Sequence, residues 1–148
     1  MIKEKLEQDL VLLRKQLFWL EYSFKECSGI GINEEYTVEE FGRFETLCAW
    51  YSRSIDFLIR KFFHTLDAYE SENHGTLIDV VNHAHKRGLF EDVEELRIMK
   101  DLRNTIVYEY IEEELVEVFA EVLEYSGKLI EIFLKTVEYT ERRLEAGE

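Results

Sequence analysis

The fold is decided by residues 37–66, which read TVEEFGRFETLCAWYSRSIDFLIRKFFHTL. Thr37 and Glu40 have the spacing of a capping box, in which the hydroxyl and the carboxylate satisfy free backbone amides at a helix start. Apolar residues then recur every three or four positions, the period of an amphipathic helix. They are Phe41, Phe44, Cys48, Tyr51, Ile55, Leu58, Phe62 and Leu66. The stretch predicts one long helix with a core-facing stripe.

The same period predicts four further helices. The first runs from Ile2 to Cys27, the third is capped by Thr76 with Asp79, the fourth starts at Asp92, and the last covers residues 112–144. Breaks fall at residues 28–33 and 72–75, and Gly88 suits the left-handed position after the third helix. Strand alternation, proline, repeats and linkers are absent from the sequence. We expect an all-α protein, an antiparallel up-down bundle of about five helices, with residues 1–148 as one domain.

Length and composition narrow the class of protein. A chain of 148 residues is long enough to bury one hydrophobic core without stabilising disulfide bonds or metal ions. Its apolar runs are only a few residues long, far short of the ~20 residues needed to cross a membrane. The N-terminus leads directly into mixed charge, so no signal peptide is predicted. Cys27 and Cys48 form no metal-type pair and are expected to be buried thiols in a reducing compartment. The expected location is the cytoplasm.

Charge is distributed unevenly along the chain. The net charge of −14 argues against generic nucleic-acid binding, which depends on neutralising phosphates. Residues 86–103 nevertheless contain five of the eighteen basic residues, namely Lys86, Arg87, Arg97, Lys100 and Arg103. Residues 104–127 contain no lysine or arginine but seven glutamates. The pattern predicts a local basic face beside an acidic wall, and a solvated helix surface of mixed charge is the alternative.

Aromatic residues crowd more than one face of the second helix. They are Phe41, Phe44, Trp50, Tyr51, Phe57, Phe62 and Phe63. A helix that is apolar on two faces can pack on its own core and on a second surface at once. We therefore expect a homodimer. The alternative is that the extra aromatics meet the first and last helices of the same chain.

Residues 103–110, RNTIVYEY, combine an arginine, an amide and two tyrosines, a cluster that a helical bundle does not need in order to fold. Arg103 carries a permanent cation whose planar fork fits phosphate oxygens, and Asn104 can orient a partner by hydrogen bonding. RNA cleavage also needs a group that moves protons near neutral pH. Imidazole titrates at about 6.5, whereas a phenol titrates at about 10 and is a poor base at pH 7.

This segment resembles the RNxxxHxY signature of HEPN proteins, in particular the HepT-type toxins that are paired with a small nucleotidyltransferase. The resemblance implies a dimeric helical bundle acting as a metal-independent endoribonuclease, without a cofactor. It assigns the cleft to Arg103, Asn104 and the position of Tyr108, where the family has histidine. Tyr110 matches the tyrosine that the partner nucleotidyltransferase adenylylates. Three functions remain open. They are a HepT-like ribonuclease weakened at Tyr108, a degenerate module that only binds the nucleotidyltransferase or a nucleotide, and a dimeric helical scaffold without small-molecule chemistry.

Helical spacing constrains this site. On a straight helix Arg103 shares a face with Tyr110, whereas it lies about 140° from Tyr108. A common cleft therefore requires the helix to end or distort near Val107, or two chains to share the cleft. The structural alternative is that Arg103 forms a salt bridge while Tyr108 and Tyr110 cap the bundle.

Two weaker patterns complete the sequence analysis. Arg53, Asp56 and Arg60 form a stripe on the second helix and suggest an internal ion-pair ladder, although Arg53 could also face a cleft near Arg103. His74, His83 and His85 show no zinc-ligand spacing and are expected to be surface or partner-contact histidines. No metal site is predicted.

Overall fold

The first helix runs further than its sequence pattern predicts. The computed structural model describes residues 1–71, 75–108 and 112–147, and helix α1 spans Ile2–Ile30 rather than ending at Cys27. It ends at Gly31, whose φ of 78° is accessible to glycine at little cost and whose N–H donates to the carbonyl of Cys27. Ser28 and Gly29 therefore continue the helix, because neither residue forces the backbone out of the helical region.

The predicted capping box and long second helix are confirmed. In helix α2, Val38–Phe57, the Glu40 N–H donates to Thr37 Oγ1 at 3.1 Å, and the Thr37 N–H donates to Glu40 Oε1 at 2.9 Å. The helix continues through a π-helical turn, Leu58–Phe62, into α3, Phe63–Tyr69. Seven of the eight predicted stripe residues are buried, and Phe41 is half-buried. The period is thus maintained across the π-turn.

Helices α4, Leu77–Lys86, α5, Val93–Tyr108, and α6, Glu112–Ala146, complete the chain. Thr76 and Asp79 form the expected capping box on α4, and Gly88 has a φ of 80°. The predicted break at residues 72–74 lies outside the described residues. With α2, the π-turn and α3 counted as one rod, the described residues form five helices and no strand, which confirms the all-α bundle.

Contacts between α1 and the α2–α3 rod show that these two run antiparallel. Glu26 pairs with Arg43 at 3.6 Å, the rings of Trp19 and Trp50 stack with centroids 6.1 Å apart, and Thr65 donates to Asp9 at 2.7 Å. Helix α1 also packs along α6, and α5 packs against α2 and α6. None of the helices among the described residues has the long, nearly uncharged apolar run that spanning a bilayer requires.

The aromatic residues of the second helix contact helices of the same chain. The ring of Phe41 lies 5.5 Å from that of Phe119 on α6, and Trp50 stacks on Trp19 of α1. This arrangement matches the alternative stated for the sequence, in which the extra aromatics pack on the first and last helices of the same chain instead of forming a dimer surface. A cluster of exposed aromatics lies on α1 instead, where Phe18, Trp19 and Tyr22 are 59%, 46% and 52% exposed.

Two residues that the sequence places on the surface are in fact part of an internal network. His83 Nδ1 lies 2.9 Å from Asp67 Oδ2, and Asp67 is fully buried. Arg87, predicted to belong to the basic face, is only 8% exposed and lies against Asp67 and Glu70. The prediction that both residues lie on the surface is wrong, because the C-terminal end of α4 that carries them faces α3.

Candidate functional site

The Arg103 guanidinium is held by Asp56 of α2. Arg103 Nε and Nη2 both donate to Asp56 Oδ2, at 2.9 and 2.7 Å. The side chains of Arg103 and Asp56 are 25% and 33% exposed to solvent. The pair therefore lies at the surface edge of the α2–α5 contact. The salt bridge expected as the structural alternative is therefore present. Because Arg103 keeps Nη1 outside this contact, its fork is oriented without being fully occupied.

A buried tyrosine sets the position of α5 against α2. Tyr51 is fully buried, and its hydroxyl donates to the carbonyl of Met99 at 2.7 Å. Burial raises the pKa of the Tyr51 phenol well above its usual range, so the hydroxyl remains a donor. Met99 lies one helical turn before Arg103. The hydrogen bond thus fixes the segment of α5 from which Arg103 reaches Asp56.

Asp56 lies at the end of α2, immediately before the π-turn. Its Oδ1 is 4.0 Å from Arg60 Nε, whereas the Arg53 guanidinium lies over the Trp50 ring, 5.2 Å from its centroid. The predicted ladder of Arg53, Asp56 and Arg60 is therefore incomplete, because Asp56 binds mainly Arg103. π-Turns within α-helices are common at functional sites, where they redirect side chains.

Asn104 connects the arginine to a neighbouring groove. Arg103 Nη1 donates to Asn104 Oδ1 at 3.2 Å, which leaves the Asn104 NH₂ group able to donate elsewhere. Asn104 is exposed and lines a groove of about 400 Å³ between α4, α5 and the π-turn. The lining residues are Ile59, Leu77, Ile78, Val81, Asn82, Val93, Leu96, Arg97, Lys100, Asp101 and Asn104.

Tyr108 does not join Arg103 within one chain. Helix α5 remains helical through Tyr108, so the angular separation of about 140° from Arg103 applies along its whole length. Tyr108 is 69% exposed, whereas Arg103 faces α2. Tyr108 instead follows Asn104 on the same helix face, one turn further along. The structure brings Arg103 and Asn104 together, and Tyr110 lies outside the described residues.

The basic residues of the 86–103 segment are divided between four environments. Arg87 is internal, Arg103 is paired with Asp56, and Arg97 and Lys100 line the groove. Lys86 is exposed on α4. The basic face predicted from the sequence is therefore narrower than its five residues suggest. Among the residues that the structure describes, no group of three potential metal ligands is clustered.

Two features of this site are not predicted by the sequence. The helical stripe pairs Asp56 with Arg53 and Arg60 rather than with Arg103, and no pattern connects Lys100 with a groove. A signal for Asp56 was available, since it is the only carboxylate between residues 46 and 66 of a strongly acidic chain. No comparable local signal exists for the groove, because its walls come from three separate elements.

Comparison of this chain with protein-family models, with curated proteins and with solved structures gives no match. Fold and site define an all-α protein that carries a surface arginine site beside an apolar groove.

Proposed function

We propose that this protein is a HEPN-like, HepT-type component of a cytoplasmic toxin–antitoxin pair with a small nucleotidyltransferase, and that its Arg103 site binds RNA. The supporting observation is the Arg103–Asp56 contact, which holds a partly exposed guanidinium in a fixed orientation beside Asn104. A phosphate can replace Asp56 on such a fork, because both groups present oxygen acceptors to the same N–H donors. An amide one residue away can hydrogen bond to the same phosphate or to the ribose.

Cleavage at this site is proposed to be weak. The reaction must remove a proton from a 2′-hydroxyl, protonate the leaving oxygen and stabilise charge on phosphorus. Arg103 supplies the last of these. Tyr108 stands where the HEPN pattern has histidine, and a phenol is a less effective proton shuttle than an imidazole at pH 7.

Substitution of Tyr108 by histidine tests the proposed activity. We expect the unmodified protein to cleave structured RNA slowly or not at all in chelator, and Tyr108→His to increase the rate by about 100-fold, the lower end for general acid–base catalysis. Tyr108→Phe is the matched control and should show no gain. Adding Arg103→Ala to Tyr108→His should abolish the increase. Rapid cleavage by the unmodified protein that depends on Arg103 would show that tyrosine suffices.

A module without nuclease activity is the second candidate, and the same salt bridge supports it. Asp56 neutralises Arg103 within the chain, which weakens its attraction for phosphate. This candidate predicts that Tyr108→His remains inactive although the protein still binds the nucleotidyltransferase. Pull-down of the partner together with the cleavage assay distinguishes the two candidates.

The proposed homodimer would use the aromatic surface of α1. Phe18, Trp19 and Tyr22 are exposed, and the Trp19–Trp50 stack extends this surface onto α2, where Arg53 covers Trp50. Asp56 lies one turn beyond Arg53, so a two-fold interface here would bring two Arg103 sites near one cleft. Such an interface also offers a route for Tyr108 of one copy to approach Arg103 of the other.

Light scattering at micromolar concentration tests this proposal. We expect a dimer, and we expect Trp19→Glu to give a folded monomer, because it places a charge in the apolar interface. Leu134→Glu changes a residue of similar exposure, 49%, on α6 and should remain dimeric. A monomeric unmodified protein would contradict the proposal.

Tyr110 is the proposed acceptor for adenylylation by the partner enzyme. On a continued helix it would share a face with Arg103, so an attached nucleotide phosphate could pair with the guanidinium and block RNA. Incubation with the nucleotidyltransferase and ATP, followed by peptide mass spectrometry, identifies the modified residue. An adduct on Tyr108 would reassign the acceptor, and no adduct with an active enzyme would remove this role from the segment.

A further inference from the structure

We propose that the groove between α4 and α5 binds a small aliphatic carboxylate, with the hydrocarbon chain on the groove floor and the carboxylate beside Lys100. This inference does not rest on the function proposed for Arg103, although Asn104 belongs to both sites. It rests on the lining of the groove, on a cation without a partner among the described residues and on the local charge.

The floor of the groove is entirely aliphatic. Ile59 of the π-turn and Leu96 of α5 are 4% and 3% exposed, and Leu77 and Val81 of α4 are half-buried against the core. Among the residues that the structure describes, the lining includes no aromatic side chain on which a planar ring could stack. A groove of about 400 Å³ is within the range of small-molecule sites. An aliphatic chain fits this surface because its burial removes apolar area from water without requiring polar partners.

Lys100 supplies a cation for which the described part of the chain offers no partner. It is half-buried and lines the groove, yet it forms no hydrogen bond or ion pair with the residues that the structure describes. Other half-buried cations are paired: Arg103 with Asp56, and Lys128 with Glu95 at 3.4 Å. An ammonium at the edge of an apolar floor gains most from an anionic ligand, because its own solvation is already reduced.

Amide groups line the same groove on both of its walls. Asn104 on α5 has its NH₂ group available, and Asn82 lies on the α4 wall. Lys100 and Asn104 are four residues apart and therefore share a helix face. A carboxylate at Lys100 could thus accept from an ammonium and from an amide together, which fixes its orientation.

The charge balance of the groove favours an anion. Its charged lining residues within the described ranges are Arg97, Lys100 and Asp101, a local charge of +1 in a chain of −14. Arg97 is exposed and only loosely associated with Glu94, at 3.4 Å. Asp101 is also exposed, so water screens its repulsion of a bound carboxylate. Asp101→Asn should therefore tighten carboxylate binding slightly.

Titration of the full chain with sodium octanoate, followed by amide chemical shifts, tests the proposal. We expect saturable shifts confined to α4, α5 and the π-turn. Affinity should increase about fourfold per methylene from hexanoate to octanoate, as expected for burial of each group. Lys100→Gln should weaken octanoate binding about tenfold, the loss expected for a hydrogen bond to a charged group. Lys100→Arg should retain it.

Matched controls separate this site from non-specific association. Lys86→Gln removes an exposed lysine of α4 that does not line the groove, and it should leave octanoate binding unchanged. Octanol, which has the same chain without the charge, should bind at least about tenfold more weakly. The titration contains no RNA, so failure of the RNA proposal would not affect this result.

Several outcomes would overturn the proposal. Absence of saturable shifts, equal affinity for octanol and octanoate, or equal effects of Lys86→Gln and Lys100→Gln would each remove the carboxylate site. Displacement of octanoate by a more tightly bound adenosine monophosphate would instead assign the groove to a nucleotide.

Discussion

At the scale of single residues, Asp56 controls the state of Arg103. Ion pairs with this degree of exposure typically contribute about 0.2–1 kcal/mol, because water competes for both partners. The contact is therefore strong enough to orient the guanidinium and weak enough for a phosphate to displace the carboxylate. Asp56 acts in this way as an internal competitor for the proposed RNA ligand.

Asp56→Asn should strengthen RNA binding, since it removes the charge that competes with phosphate. We expect severalfold tighter binding of RNA. The slope of log affinity against log salt concentration should also steepen by about the amount of one additional phosphate contact, measured by fluorescence anisotropy of an oligonucleotide at several salt concentrations. Glu45→Gln removes an exposed carboxylate elsewhere on α2 and serves as the control. Equal affinity of the two variants would show that Asp56 does not compete with RNA.

The two cysteine thiols should be chemically protected in the folded protein. Burial is the main cause that raises the pKa of both Cys27 and Cys48 from 9.0 to about 12. The folded state therefore favours the neutral thiols, and their contribution to stability is complete below pH 9 and is lost between pH 9 and 12. Iodoacetamide at pH 8 should modify neither thiol in buffer and both in urea. Rapid modification of the native protein would contradict this expectation.

At the scale of the helices, local signals place most of the boundaries. Thr37 with Glu40 and Thr76 with Asp79 close reciprocal capping boxes, as their spacing predicts. The end of α1 was less predictable, because the pattern contains Gly29 and Gly31 in succession. Only Gly31 has a positive φ, so only this residue ends the helix. Glycine identity alone does not determine which of the two the backbone uses.

A matched pair of glycine substitutions tests this distinction. Gly29→Ala should stabilise the protein by about 0.5 kcal/mol, because the site is helical and an added Cβ meets no atom within 4 Å. Gly31→Ala should destabilise it by about 1–3 kcal/mol, since the residue has a φ of 78° at the end of α1. Urea unfolding of both variants provides the comparison. A loss of stability in Gly29→Ala would show that this turn is not an ordinary helical position.

At the scale of the whole molecule, a buried charge network joins three helices. Asp67 of α3 lies 2.9 Å from His83 and 2.7 Å from Arg87 at the end of α4, the latter without hydrogen-bond alignment. Arg87 also reaches Glu70 at 2.6 Å, and Glu70 accepts from Tyr139 of α6 at 2.8 Å. The network connects the short helix α4 to the long helices, and α4 forms one wall of the groove.

Arg87→Met should destabilise the protein strongly, because it leaves the Asp67 and Glu70 carboxylates with less compensation in a buried site. The expected decrease in the free energy of unfolding is about 3–5 kcal/mol, the range observed when one partner of a buried ion pair is removed. Lys86→Met, at the exposed neighbouring position, should change stability by less than about 0.5 kcal/mol. Urea unfolding measures both, and similar small effects would show that the network contributes little.

The sequence by itself determined the all-α class, the helices, their caps and the core stripe of the second helix. These features depend on residues three or four positions apart, so their physical cause lies within the segment that shows it. The sequence also identified Arg103 and Asn104 as neighbours. Tertiary structure alone decided that Asp56 binds Arg103 across 47 residues, that Arg87 is internal, and that Lys100 lines a groove. Those contacts depend on how helices pack against one another, which the period of one helix does not specify.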